Sequence, residues 1–285
     1  MSFFNAIILG LIQGLAEFLP ISSSGHLSLF QNFFGLQTAE QSNLFFDVLL
    51  HLGTLIAVVI YYWEDVRGMV VEFIKICREL AGQRSSRPTP EANEQRRLIL
   101  LVIVGTLPLF LVLPFKSKIE ALYGHTGFIG LALLITGCLL WYADHAGRGR
   151  KTLRSVSLLD VLVVGLGQAI AVVPGLSRSG CSISAGLLRG MDRKAAVRYS
   201  FLLSLPAVLG ANLLTLIDAV KGGLDMTYLP AYIVGVCVAA MSGYAAIGVI
   251  NRLSVRGKFS MFAWYCWGAG VIALVLTGIF ALLNR

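Results

Sequence analysis

Six long apolar runs constrain this chain more than any other feature: Leu44 to Trp63, Leu98 to Phe115, Gly127 to Ala143, Ala195 to Ile217, Leu229 to Ile250 and Phe259 to Leu282. Each is about the length an α-helix needs to cross roughly 30 Å of hydrocarbon. Backbone in lipid must satisfy its own hydrogen bonds, and continuous apolar runs of this length do so as helices. The balance of the sequence agrees, with 56% hydrophobic residues, 13% charged residues and a mean hydropathy of +0.78, against about one quarter charged in soluble domains. The expected fold is an all-α polytopic membrane protein forming a single integral membrane domain over residues 1–285. The first Lys or Arg is Arg67, so the N-terminus lacks the basic region of a cleavable signal peptide and is expected to remain in the mature protein.

Two function classes recede at once. The net charge of +8 comes with no basic stripe interleaved with aromatics, so the excess reads as membrane topology and not as nucleic-acid binding. Cys77, Cys138, Cys181, Cys237 and Cys266 form no CxxC pair or metal-ligand spacing and read as small packing residues without disulfides.

Two further apolar stretches are too short and too broken to be ordinary spans: Phe3 to Leu19 with Leu27 to Leu36, and Leu158 to Val173 with Ile183 to Leu188. Shifted by 155 residues, "GLIQGLAEFLPISSSGHLS" from Gly10 lies over "GLGQAIAVVPGLSRSGCSI" from Gly165. Gly10, Leu11, Gln13 and Ala16 fall on Gly165, Leu166, Gln168 and Ala171, and Ser22, Ser24 and Gly25 fall on Ser177, Ser179 and Gly180. Short helices interrupted by Gly and Pro at equivalent places in two halves are the signature of re-entrant pairs that meet near the bilayer midplane and hold a ligand there. Three full spans follow each pair, so the second copy is inverted relative to the first. The expected architecture is an inverted-topology repeat of about six transmembrane helices plus two re-entrant helix pairs, with repeat one over about 1–145 and repeat two over about 156–285.

Charge placement agrees with this arrangement. The loop 64–97, in which Ala81 to Glu94 reads as a polar stretch rich in turn formers, and segments 145–157, 189–198 and 251–258 fall on one face and carry 18 of the 23 Lys and Arg residues, whereas the other face has Lys116, Lys118, Lys221 and Arg285. The positive-inside rule makes the first set cytoplasmic and puts both termini and the opening of the site outside. The remaining basic residue, Arg178, sits in the second broken turn. Duplicated packing alone would account for the Gly10/Gly14 pair, but not for ionisable residues where helices break.

A charge at membrane depth needs a cavity or a partner. The two turns would bring Gln13, Glu17, Ser22, Ser23, Ser24 and His26 near Ser177, Arg178, Ser179 and Ser182. Arg178 offers a planar fork of donors for phosphate oxygens. Ser/Gly turns at Ser22 to Gly25 and Ser177 to Gly180 lead into helix N-termini whose free N–H groups can hold anions. Two facing anion cradles suit a diphosphate. Gln13 and Glu17 share a helix face; one carboxylate and an amide carbonyl are too few for a closed cage but enough for a magnesium ion carried in on a diphosphate, with a helix cap or ion pairing to Arg178 as the metal-free alternative. His26 can move protons near neutral pH, either activating a serine or protonating a leaving phosphate. His51 faces the same cavity or bonds a neighbouring backbone, and His125 and His145 carry no assigned role.

"QGLAEFLPISSSGH" (13 to 26) and "PGLSRSGCS" (174 to 182) resemble the two signature motifs of the bacterial undecaprenyl-diphosphate phosphatase family, also called bacitracin-resistance proteins. The likeness extends through "HLGTLIAVVIYYW" (51 to 63) and "YSFLLSLPAVLGA" (199 to 211). It implies a metal-dependent hydrolase of the bacterial plasma membrane that converts undecaprenyl diphosphate to the monophosphate carrier of cell-wall synthesis, with Mg2+, or Ca2+ in its place, as cofactor. Carried over by residue, it implies Glu17 in the metal and phosphate site, Ser23 as nucleophile with a metal-bound water as the alternative, His26 as proton-transfer partner and Arg178 as phosphate clamp. Gln13 stands where many members have Glu, and Ser182 where Thr is usual. The rival from another class is a transporter or lipid flippase, which uses the same architecture without cleavage.

Overall fold

The computed structural model describes residues 2–33, 40–83, 88–146, 149–221, 228–256 and 259–283, and among these no strand occurs. Twelve α-helices follow in order: α1 (Phe3–Phe18), α2 (Ser23–Phe33), α3 (Glu40–Tyr61), α4 (Trp63–Leu80), α5 (Pro90–Thr106), α6 (Lys116–Glu120), α7 (Thr126–His145), α8 (Leu158–Ile170), α9 (Arg178–Leu188), α10 (Arg193–Lys221), α11 (Leu229–Arg256) and α12 (Ser260–Leu283). Among the described residues five helical segments, or six counting α3 with α4, are long and apolar enough to cross a bilayer. The protein is an all-α, multi-pass membrane protein.

Three elements depart from the sequence reading. The run Leu98 to Phe115 is not one helix: α5 stops at Thr106 and continues as short 3-10 turns at Leu107–Leu111 and Leu113–Phe115. Pro108 and Pro114 lack the N–H that an α-helix needs and crowd the preceding turn. The polar segment after α3 holds α4, bent 89° from α3, where only a loop was expected; its Glu72 accepts bonds from Lys75 (2.6 Å) and Arg96 (2.9 Å). Of the expected loop Ala81 to Glu94, residues 84–87 lie outside the described residues, and Pro90 to Glu94 belong instead to the start of α5, capped by Thr89. The second helix of each broken pair also begins earlier than its apolar run, at Ser23 and at Arg178. The reason is local: the Ser22 hydroxyl accepts the Gly25 N–H at 3.2 Å and the Ser177 hydroxyl accepts the Gly180 N–H at 3.0 Å. Each serine is thus an N-terminal cap, and the two caps sit at matching places in the two copies. The stretch expected as Leu27 to Leu36 is described only to Phe33.

Helix pairing follows the same correspondence. α1 packs along α11 and α8 along α5, while α3 meets α10 and α7 meets α12. Gly10 and Gly165 make the first two contacts possible, because a Cβ there would stand 2.6 Å from the Gly235 carbonyl and 2.2 Å from the Gly105 carbonyl respectively. Close backbone approach of this kind holds helices together where lipid removes the usual hydrophobic drive. One half differs: α9 packs against α7 and α10 as well as its own partner α8, whereas α2 packs against its partner α1 and α7.

The basic segments gather at one end of the bundle. Arg154 pairs with Glu94 (2.6 Å), the Arg97 guanidinium donates to the Val156 carbonyl (2.6 Å), Lys151 and Arg189 share Asp160, Arg193 pairs with Asp144, and Arg198 with Asp65. Segments 64–97, 145–157 and 189–198 therefore meet one another, and the Ser260 N–H donating to Asp144 at 2.9 Å brings the start of α12 to the same end.

Candidate active site

The site forms where the α1–α2 turn meets the α8–α9 turn. Pro20 ends the first helix, since the residue before proline is held extended, and Leu19 has ψ 135°. Ser22 then takes φ 72°, the one positive φ at a non-glycine residue among those described. Such a conformation is strained and is usually kept for a functional reason. In the second turn Gly175 takes φ 89° without that strain. The turns touch. A Cβ at Gly25 would come 3.0 Å from the Gly175 Cα, and the Ser179 hydroxyl reaches the Leu19 carbonyl at 3.5 Å.

At this contact Arg178 donates to Glu17 Oε1 at 2.6 Å, across 161 residues of sequence. The other carboxylate oxygen, Oε2, accepts the Ser23 hydroxyl at 2.7 Å and the Gln13 amide at 3.1 Å, and the His51 Nε2 stands 3.8 Å away. Glu17 is 7% exposed and Gln13 fully buried, so a charge that would be expensive in lipid is compensated on both oxygens. Arg178 Nη1 donates to the Ser200 carbonyl of α10 at 3.4 Å. Ser182 braces that region, bonding the Ser200 hydroxyl at 2.6 Å and the Arg178 carbonyl at 2.8 Å.

Not every expected residue takes part in the same way. Ser24 is within 3.5 Å of the Ser22 hydroxyl, and Ser177 within 3.3 Å of that of Ser179. These serines, with Gly25 and Gly180, build the turns from inside, and Ser177 is further held by its N–H bond to Thr136 (3.2 Å). His26 lies beside the centre but is not bonded to Ser23. Its Nδ1 faces the Ser22 carbonyl at 2.8 Å and its Nε2 faces the Tyr265 hydroxyl at 2.9 Å. His51 combines both options left open by sequence: Nδ1 bonds the Asp47 carbonyl at 2.7 Å and Nε2 turns toward Glu17.

Sequence reasoning missed Tyr265, Thr136 and Ser200. Each lies inside an apolar span where a single polar residue looks ordinary, and each is brought in only by helix packing.

Chemically, the site offers a fixed guanidinium, a carboxylate in contact with a serine hydroxyl, and two helix N-termini at one point. The Gln13 Oε1 atom is buried with no hydrogen-bond partner. Among the described residues no group of three or more His, Cys, Asp or Glu side chains gathers. A hard cation with two oxygen donors from the protein and the rest from its substrate fits this set, whereas a closed protein cage does not.

Comparison with known proteins agrees with the geometry. The chain is 42% identical to the undecaprenyl-diphosphatase of Halothermothrix orenii, covering 98% of this chain and 100% of that protein. It is 40% identical to the undecaprenyl-diphosphatase of Carboxydothermus hydrogenoformans (97% and 98%) and 37% identical to that of Methanosphaera stadtmanae (96% and 97%). The family described as Bacitracin resistance protein BacA matches residues 6–272, both turns and the Glu17–Arg178 contact included, and the chain belongs to that family.

Proposed function

We propose that this protein is an undecaprenyl-diphosphate phosphatase, which hydrolyses the C55 isoprenyl diphosphate to the monophosphate and orthophosphate and so returns a cell-wall lipid carrier and lowers sensitivity to bacitracin. The observation that carries this reading is the chain Arg178–Glu17–Ser23, assembled from opposed turns within a membrane domain. A transporter needs a charge to bind an anion; it does not need a hydroxyl placed on a carboxylate.

Phosphoryl transfer calls for positioning and charge stabilisation more than elaborate covalent chemistry. Ser23 Oγ attacks the terminal phosphorus while its proton passes to Glu17 Oε2, already its hydrogen-bond acceptor. The bond from that phosphorus to the bridging oxygen breaks, and its electron pair leaves on undecaprenyl monophosphate. Water then attacks the phosphoserine with His26 as its proton-transfer partner, and orthophosphate departs as Ser23 recovers its proton from Glu17. Arg178 and the N–H groups that open α2 and α9 hold the charge on the phosphoryl oxygens. Glu17 and the Gln13 carbonyl would hold a magnesium ion, with calcium as substitute, which supplies charge neutralisation on the diphosphate. The tail stays in lipid because extracting it would expose a large apolar surface to water.

The direct test is reconstituted protein given undecaprenyl diphosphate with magnesium, followed by orthophosphate. Release that stops on chelation is expected. Binding without release overturns the hydrolase, and full activity in excess chelator removes the metal from Glu17 and Gln13.

The clustered basic segments support a cytoplasmic placement for that end of the bundle, hence extracytoplasmic termini and site opening. Topology reporters at residue 90 and at the C-terminus are expected on opposite faces, the former cytoplasmic. Both on one face would overturn the arrangement.

A further inference from the structure

The geometry points to Tyr265 as the positioning residue for His26, fixing the orientation of the imidazole and of its free nitrogen in the reaction proposed above. The inference rests on that reading for its kinetic part alone.

A backbone carbonyl can only accept a hydrogen bond. With the Ser22 carbonyl 2.8 Å from Nδ1, the proton of a neutral His26 must be on Nδ1, and Nε2 carries the lone pair. The Tyr265 hydroxyl at 2.9 Å therefore donates to Nε2. Both ring nitrogens are then engaged from opposite sides, one by the strained turn and one by α12. The two rings lie 5.6 Å apart between centroids and 18° from parallel.

Tyr265 does not act alone in gripping this turn. Its neighbour Cys266 directs its thiol to the Pro20 carbonyl at 3.6 Å, so consecutive residues of α12 hold the α1–α2 turn on both sides of Ser22. His26 is buried, whereas Tyr265 is 48% exposed.

The consequence concerns proton traffic. Ser23 is bonded to Glu17 and not to His26, so the imidazole is free of the nucleophile, and its only nitrogen able to take a proton faces α12. With the Tyr265 hydroxyl on it, Nε2 stays an acceptor with fixed direction. Without it, the ring keeps one anchor, and rotation about the remaining bond no longer has a preferred outcome. Tyr265 thus acts through His26 and touches neither the phosphate nor the nucleophile.

The test is Tyr265→Phe, which keeps the ring and removes one oxygen. In protein labelled with 15N at histidine, and with His26 assigned by comparison with His26→Gln, the parent is expected to show a protonated Nδ1 and an Nε2 signal of a hydrogen-bonded acceptor; the variant should keep the protonated Nδ1 and show Nε2 as a free acceptor. Turnover should fall about tenfold, the scale of one positioning hydrogen bond, chiefly in kcat. In a His26→Gln background the same substitution should cause no further loss, since coupled residues are not additive. An unchanged Nε2 signal, unchanged turnover, or a full additive loss in the double variant each overturns the assignment. A parent that binds lipid diphosphate but releases no phosphate would sink the hydrolase while leaving the 15N result to judge the Tyr265 contact.

Discussion

Arg178→Ala is expected to lower orthophosphate release by about a thousandfold or more, the scale on which phosphoryl-transfer sites depend on an arginine. The same change should destabilise the protein by about 3–5 kcal/mol, because it leaves Glu17 charged, nearly buried and without its partner at 2.6 Å. Arg178→Lys separates the two effects. It restores the charge without the planar fork, so stability should largely return while activity remains about a hundredfold down. The double variant Glu17→Gln/Arg178→Met removes both charges together and is expected to unfold near the parental temperature yet to be inactive. Phosphate release assays beside thermal unfolding in detergent decide the matter. An active double variant would mean the ion pair only holds the two turns together.

Ser23→Ala should cost at least about a thousandfold in kcat if the hydroxyl is the nucleophile, with the remaining activity coming from the cradle and Arg178. Its partner observation is chemical: substrate labelled in the terminal phosphate, quenched in acid during turnover, should leave label on Ser23. The structure gives this prediction its direction. Ser23 donates to Glu17 at 2.7 Å, so the acceptor for its proton is already in place, and no histidine is needed to activate it. Near-normal turnover in Ser23→Ala, with no labelled protein, would transfer the attack to water and leave Ser23 as one more polar wall of the cradle.

The division between sequence and structure can be followed residue by residue. The spans were legible because lipid imposes one rule everywhere: about twenty apolar residues for each crossing. Each expected crossing falls on helix, and the one expected as continuous but found broken, at Pro108 and Pro114, failed where hydropathy is blind to a missing N–H. α4 was illegible for a related reason. Charged residues on one face lowered its average hydropathy, and without the Glu72–Arg96 contact a polar stretch after a span looks like a loop. In the site, Glu17 and Arg178 stood out because burying a charge is costly enough to demand a partner. Tyr265, Thr136 and Ser200 gave no such warning, since one hydroxyl in an apolar helix costs little and fits many roles.

By itself, the sequence determined that the chain folds as membrane helices, that two short helix pairs break at related Ser- and Gly-rich turns, and that an acid and a guanidinium sit at those breaks. All of these follow from chemistry local in the chain: hydropathy, proline, glycine and the cost of charge in lipid. Only the tertiary structure decided who bonds to whom: that Glu17 takes both Arg178 and Ser23, and that His26 turns from Ser23 to Tyr265, 239 residues away. Hydrogen-bond partners are chosen within about 3 Å, and distances of that size between remote segments are set by how helices pack against one another.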